Sequence, residues 1–242
     1  MLETNIIQAG NAYIASQLKG HAEQSRHIDQ KYPKPFVTIS RESGAGGTKV
    51  GEKLIEYLNI NDTYTGSKWA LFDKNLIERV IEEHHLPEQF RNFLSEEKYS
   101  EVQNTFERLM GLHPGISMLA SKTCNTIINL ASLGNVIIIG RGANILTRNI
   151  PGGFHVRLIA DMEWKIRQVE SDFNMNKKEA IKYIWEEDTR RRDYVKKLFN
   201  KNVADPLMYD VIIKTSRVSF EEASELIGGK VLRYIQQKKY AA

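Results

Sequence analysis

The segment Ser40-Arg41-Glu42-Ser43-Gly44-Ala45-Gly46-Gly47-Thr48 crowds three glycines between a run of β-branched residues and a stretch with helical spacing. A glycine loop between a strand and a helix can aim several main-chain N–H groups at one point, and the helix N-terminus adds partial positive charge there. Glycine is needed because a side chain would block close approach and forbid positive φ. The guest this suits is a phosphate chain, held by Gly44, Ala45, Gly46, Gly47 and Thr48. The competing reading is a tight turn whose glycines serve packing alone. Against the pattern G-x-x-x-x-G-K-[ST], Gly46 takes the second glycine and Thr48 the hydroxyl that meets Mg²⁺. Arg41 then falls on the first glycine and Gly47 on the lysine, so two of the fixed positions depart. Lys49 comes one residue late and would point about 100° away around the helix.

Cations that could meet a phosphate lie elsewhere in the chain. Arg141 follows Val136-Ile137-Ile138-Ile139, the most apolar run. That run lacks alternation, as a strand covered on both faces should, and its arginine emerges where ligands of open α/β sheets bind. Asp73 follows a second short run, Ala70-Leu71-Phe72, and reads either as a contact to a small acceptor molecule or as a plain helix N-cap. Arg190, Arg191 and Arg192 are consecutive and fan over about 200° of a helix, so they cannot all face one ligand. A forked guanidinium suits phosphate oxygens better than an ammonium does. Asp205-Pro206 and Asp210 read as residues that shape a turn. His84 and His85 are adjacent rather than four apart, which disfavours a metal pair. Cys124 sits in an apolar helical stretch and reads as a small core residue.

The elements that must position these groups follow from periodicity. Strands are expected at Phe36–Ser40, Ala70–Phe72, Val136–Ile139, Phe154–Ile159 and Val211–Ile213. Helices are expected after the glycine loop, after Asp73, over 86–115, from Met118 to Gly134, over the charged region 162–199, and from Phe220 to Ile235 with a kink at Gly228-Gly229. Strands alternating with helices argue for a parallel sheet with helices on both faces. Residues 1–35 are polar, weakly helical and end at Pro33 and Pro35; they read as an N-terminal extension, mostly helical, before a domain over 36–242.

The chain has 242 residues and a formal net charge of +4, with 41% hydrophobic and 26% charged residues. At about 150 residues per domain this is one decorated domain or two small ones. The balance is globular and excludes a disordered chain. No apolar run approaches the ~18 residues of a spanning helix, so no membrane passage is expected. One cysteine permits no intrachain disulfide, and with no leader pattern the expected compartment is a reducing cytoplasm. The pI of about 9.0 and the aromatic and basic residues of 162–199 raise single-stranded nucleic acid as a partner. An amphipathic helix face is the preferred reading of that stretch.

Taken in order, Thr38 to Gly47 with Gly51, Phe72-Asp73-Lys74-Asn75-Leu76-Ile77, Ile137 to Ala143, Asp205-Pro206, Tyr209-Asp210 and Thr215-Ser216 resemble the cytidylate kinase-like family, a branch of the P-loop nucleoside monophosphate kinases. The resemblance covers about residues 36–228. It implies a three-layer P-loop kinase fold: a five-stranded parallel sheet with helices on both faces, a helical acceptor-site insertion at about 86–115 and a lid at about 176–204. It implies an ATP-dependent phosphotransferase using Mg²⁺, with a nucleoside monophosphate or another small molecule as acceptor. By resemblance Arg141 contacts the acceptor and Arg191, three residues after Asp188, is the lid arginine; both would be catalytic. Thr48 would meet the metal. Cytidylate kinases proper carry acids on both sides of the arginine that Arg141 matches; here Ile139-Gly140-Arg141-Gly142 has neither, so CMP specificity does not carry over. The lysine-less loop, which the resemblance implies is common in this branch, leaves a second expectation open: a non-catalytic nucleotide sensor on the same fold. Whether the chain forms a homo-oligomer also stays open.

Overall fold

The computed structural model describes residues 12–13, 34–63, 65, 68–75, 77 and 118–240. In chain order the elements are β1 (Phe36–Arg41), α1 (Gly47–Asn61), β2 (Ala70–Phe72), α2 (Met118–Leu133), β3 (Val136–Ile139), α3 (Ala143–Leu146), β4 (Gly153–Ile159), α4 (Met162–Phe173), α5 (Lys177–Phe199), β5 (Val211–Lys214) and α6 (Phe220–Tyr240). The five strands form one parallel sheet in the order β2-β3-β1-β4-β5. This is the expected architecture, and the strand bounds fall within a residue of those expected.

Alternation along β1 decides which side chains go where. Val37 and Ile39 join Val50, Leu54, Leu58, Ile137, Val156, Leu158, Ile227 and Val231 in a core between the sheet and α1 and α6. Phe36 faces the opposite way, into a second core with Phe72, Ile127, Ile128, Val136, Ile138, Leu146 and Phe199. Helices therefore cover both faces, in three layers. The second face also carries a polar ladder. Thr38 pairs with His155 and Ser40 with Arg157 across the β1–β4 register, with Thr38 Oγ1 2.8 Å from His155 Nδ1 and Arg157 Nη1 donating to Ser40 Oγ at 3.1 Å. Burial pushes the His155 imidazole below its usual range.

One sequence expectation needs correction and two need refinement. The region 162–199 is two helices, because Asn174 turns left-handed (φ 52) and Asn176 starts α5 with a reciprocal cap to Glu179. The last helix runs unbroken through Gly228-Gly229 to Tyr240. A Cβ at Gly228 would overlap the Tyr57 ring, so glycine there lets α1 and α6 pack closely instead of kinking the chain. A short helix, α3, stands where the sequence pattern suggested none.

Of the N-terminal extension, Ala12 and Tyr13 are helical, and Tyr13 is buried with its hydroxyl donating to Gly134 O and its ring edge-on to Phe72. The expected 86–115 helix, His84 and His85 lie outside the described residues. Cys124 is fully buried in the second core, and burial pushes its thiol up to about 11, so it is inert as expected. Among the described residues, no helix is long and apolar enough to cross a membrane.

Candidate active site

Parallel strands all end on one side, so the loops after β1, β2 and β3 converge there. The loop after β1 is a turn closed by Ala45 N–H to Glu42 O at 3.2 Å. It leads into α1 through Gly46, which caps the helix without any side-chain bond. The amides of Gly44, Gly46, Gly47 and Thr48 meet no protein acceptor among the described residues. Four such donors around a helix N-terminus have the arrangement that can hold an anion. Ala45 does not share this property, because its amide closes the turn and its carbonyl accepts from Thr215 Oγ1 at 3.1 Å. The Thr48 side chain is exposed and no protein group among the described residues bonds it.

Packing also demands these glycines. Gly44 has φ +72, and a Cβ on it would lie 2.6 Å from the Lys165 carbonyl oxygen. Tight packing of these glycines is therefore compatible with the anion-nest reading and does not replace it.

The helix pair α4–α5 closes onto this loop through a charge cluster. Asp188 Oδ1 accepts from Ser43 N–H at 2.7 Å and from Arg191 Nη1 at 3.0 Å. Asp188 Oδ2 accepts from Lys165 Nζ at 2.9 Å, and Lys165 also reaches Glu42 Oε2 at 3.3 Å. Lys165 is buried, and two carboxylates offset the cost of desolvating it. Arg191 Nη1 donates to Ser43 Oγ at 2.6 Å and Arg191 Nη2 to Glu187 Oε2 at 3.3 Å.

A cavity of about 290 Å³ lies beside the loop, between the ends of β1 and β3 and the inner face of α5. Arg41, Arg141, Arg190 and Arg191 line it, with Lys74 and Glu187. Arg141 is held at φ +54 between two glycines of positive φ, a strained conformation that aims a side chain. Its guanidinium lies 5.4 Å from the centre of the Tyr194 ring. Burial, then the neighbouring Arg191, push the Arg41 guanidinium down to about 10, with Asp73 and Glu187 pulling the other way and Arg141 adding to the fall. Cations gathered this closely call for an anion.

The expected site residues do not all converge. Arg141 and Arg191 come together in the cavity. Arg190 lines it too, but is largely exposed and paired to Glu186 and Glu187. Arg192 points elsewhere, bonding Thr189 Oγ1 at 2.8 Å and lining a second cavity of about 230 Å³ with Arg157, Lys165 and Asp188. Asp73 supplies counter-charge to Arg41, while its neighbour Lys74 is the one that lines the cavity. Sequence reasoning missed Arg41, Arg157, Lys165 and Glu187. Arg41 had left a signal: it breaks the glycine-loop pattern in the same nine residues where Gly47 does.

For Mg²⁺ and a polyphosphate the fit is good on the loop side, where four amides and the Thr48 hydroxyl have no protein partner among the described residues. Among those residues no cluster of three His, Cys, Asp or Glu side chains stands ready for a metal. A metal here would rely on Thr48, on ligand phosphates and on water, as Mg²⁺ commonly does.

Comparison with known proteins bears on the fold and the family. Cytidylate kinase from Pyrococcus horikoshii is 26% identical over 188 residues, 78% of this chain and 83% of that protein. The crystal structure of an uncharacterized protein from Eubacterium ventriosum shares the fold, with a TM-score of 0.62, 21% identity, and coverage of 84% of this chain and 99% of that one. Residues 36–217, from the first residue of β1 to just beyond β5, match the Cytidylate kinase-like family, and with three quarters of its length inside that match the chain belongs to this kinase-like family.

Proposed function

We propose that the protein is a nucleotide-dependent phosphotransferase that moves the γ-phosphate of ATP to a nucleoside monophosphate or another small anionic acceptor. The observation that carries this reading is a cavity lined by four guanidinium groups, one of which, Arg191, bonds Ser43 in a turn where four amides have no partner among the described residues. Phosphoryl transfer asks little covalent help of a protein; it asks for alignment and for positive charge around the moving group.

The roles divide accordingly. Gly44, Gly46, Gly47 and Thr48 hold the donor phosphates through their amides, and the Thr48 hydroxyl holds Mg²⁺. The metal, when bound, neutralises charge on the donor phosphates. Arg141 and Lys74 fix the acceptor in the cavity, and Arg191 faces the transferring group from α5. An acceptor phosphate oxygen forms the new P–O bond as the bond from the γ-phosphorus to the β–γ bridging oxygen breaks, and ADP leaves with that electron pair. An anionic oxygen needs no base, which suits a cavity lined by cations. The α4–α5 pair excludes water and limits hydrolysis.

Incubating the purified protein with Mg-ATP and a panel of nucleoside monophosphates and small phosphorylated metabolites tests this. Conversion of an acceptor, lost in Arg141→Ala, is the expected result. Absence of both ATP binding and transfer would overturn the proposal. A specific observation favours the second reading, a nucleotide sensor: Asp188 already occupies the Ser43 amide, and Gly47 leaves the loop without its lysine. Saturable ATP binding without any product would favour it over catalysis.

A further inference from the structure

We propose that Arg41 takes the place of the lysine missing from the glycine loop, its stem crossing Gly47 and its guanidinium lying against the phosphate that passes from the loop to the arginine cavity. This rests on the phosphotransferase reading above and names the residue that supplies its central charge.

The geometry begins at Gly47. A Cβ built there would lie 2.8 Å from Arg41 Cγ, 3.2 Å from Cδ and 3.3 Å from Cβ. The volume that a lysine stem at position 47 would need is therefore filled by the arginine stem. The other end of Arg41 is at β3: a Cβ on Gly140 would overlap Arg41 Nη1. Arg41 thus spans the gap between the donor turn and the mouth of β3, and it lines both cavities at once.

The other cations near the loop are committed. Lys49 is tied to Asp172 at 2.6 Å and Gln168 at 2.9 Å. Lys165 is held by Glu42 and Asp188, and Arg191 by Ser43, Asp188 and Glu187. Arg41 differs from them. No acceptor bonds its guanidinium among the described residues; burial and two neighbouring arginines press on its charge, and Asp73 and Glu187 offset this without bonding it. A guanidinium whose N–H groups meet no acceptor among the described residues can take one, and a phosphate in transfer is an anion of the right size. Two departures from the loop pattern, an arginine for the first glycine and a glycine for the lysine, then become one exchange. The positive charge has moved from the helix start to the strand end, and each change makes room for the other.

The test moves the charge back. Wild type, Arg41→Ala, Gly47→Lys and the double variant Arg41→Ala/Gly47→Lys are titrated with inorganic tripolyphosphate and Mg²⁺ by calorimetry, and assayed for transfer from ATP. Position 47 is an ordinary helical position, so lysine is acceptable there once the arginine stem is gone. Arg41→Ala should lose about tenfold in tripolyphosphate affinity and about 10²–10³ in transfer rate, the scale of removing one electrostatic catalytic group. The double variant should regain at least tenfold in both, and Gly47→Lys alone should fall below the double variant because its stem meets that of Arg41. Arg41→Gln keeps the stem without the charge, and it should bind and transfer as poorly as Arg41→Ala; if the alanine variants unfold, this comparison alone decides. If wild type binds tripolyphosphate and Arg41→Gln binds and transfers equally well, the inference falls and the phosphotransferase reading stands. Wild type that binds neither ATP nor tripolyphosphate overturns both. Arg41-dependent binding with no transfer to any acceptor upholds the place of Arg41 as a phosphate ligand and overturns the transferase reading.

Discussion

Two glycine turns meet at the carboxyl edge of the sheet, and they use the same residue to opposite ends. The turn after β1, Ser43 to Thr48, offers main chain: its side chains are small, and four of its amides have no partners among the described residues. The turn after β3, Gly140 to Gly142, offers side chain: Arg141 sits in a left-handed conformation between its two glycines, and Gly140 clears space for Arg41. The first turn runs into the 15-residue helix α1, whose aligned peptide dipoles can act on an anion. The second runs into α3, which is only four residues long and adds almost nothing of that kind, so charge there has to come from guanidinium groups. On the proposed reading, the parallel sheet builds one half of a phosphate site from backbone and the other half from arginine. Arg191 ties the halves together, bonding Ser43 in the first turn while lining the cavity of the second.

The sharpest way to break that contrast is to put a methyl group on each turn. Gly44→Ala would set a Cβ 2.6 Å from the Lys165 carbonyl oxygen at φ +72, and the obstacle is main chain that cannot swing aside. Left-handed strain and overpacking together should cost roughly 3 kcal/mol. Thermal unfolding should show it as a fall in Tm of roughly 6–12 °C for a domain of this size. A Gly44→Ala protein that melts with wild type would mean the turn is not packed as described.

Gly140→Ala meets the tip of a flexible side chain instead. It should cost only about 1 kcal/mol of stability, for the positive φ. Yet it pushes the Arg41 guanidinium out of place, so ATP-dependent transfer should fall about tenfold or more, a misplaced electrostatic group being worth at least that. The two turns are then separated by readout: Gly44→Ala acts first on melting, Gly140→Ala first on turnover.

How much of this could be read from the chain depends on whether a signal is local. The strands were legible, because runs such as Val136 to Ile139 are β-branched and uninterrupted. The polar ladder was legible in principle, since Thr38 and Ser40 alternate with Val37 and Ile39, and His155 and Arg157 alternate with Val156 and Leu158. The break between α4 and α5 was also written in the sequence, in the Asn176 and Glu179 spacing of a capping box. Arg41 was legible only as a break in the loop pattern, and not as the partner of Gly47. Its pairing with Gly47 looks like two separate losses until three dimensions show one stem lying over the other residue. Gly228 misled for a related reason: a helix breaker in isolation is tolerated where Tyr57 of another helix needs the space. The salt-bridge cluster of Glu42, Lys165 and Asp188 joins residues 123 and 23 positions apart, which no spacing rule reaches.

The finest test of the contrast lies inside the first turn, between its two hydroxyls. Ser43 is buried and its Oγ accepts from Arg191 at 2.6 Å; Thr48 is exposed and has no protein partner among the described residues. If Ser43 belongs to the clamp and Thr48 to the ligand, the two alanine variants should behave in mirror image. Ser43→Ala removes one charge-assisted bond from Arg191, which keeps Asp188 and Glu187, so stability should fall by about 1 kcal/mol. Its transfer rate should change little beyond the small freedom that Arg191 gains. Thr48→Ala should leave the melting curve of the free protein within about 0.5 kcal/mol of wild type, as expected for an exposed position. Its effect should appear when Mg-ATP is added: the stabilisation that wild type gains from ligand would shrink in the variant, and the gap would close when Mg²⁺ is omitted. Thermal shift with and without Mg-ATP for the two variants reads all four values. A Thr48→Ala protein that gains as much from Mg-ATP as wild type would move the metal away from this hydroxyl. The turn would then be left as a purely main-chain site, and the contrast between backbone and arginine would be stronger still.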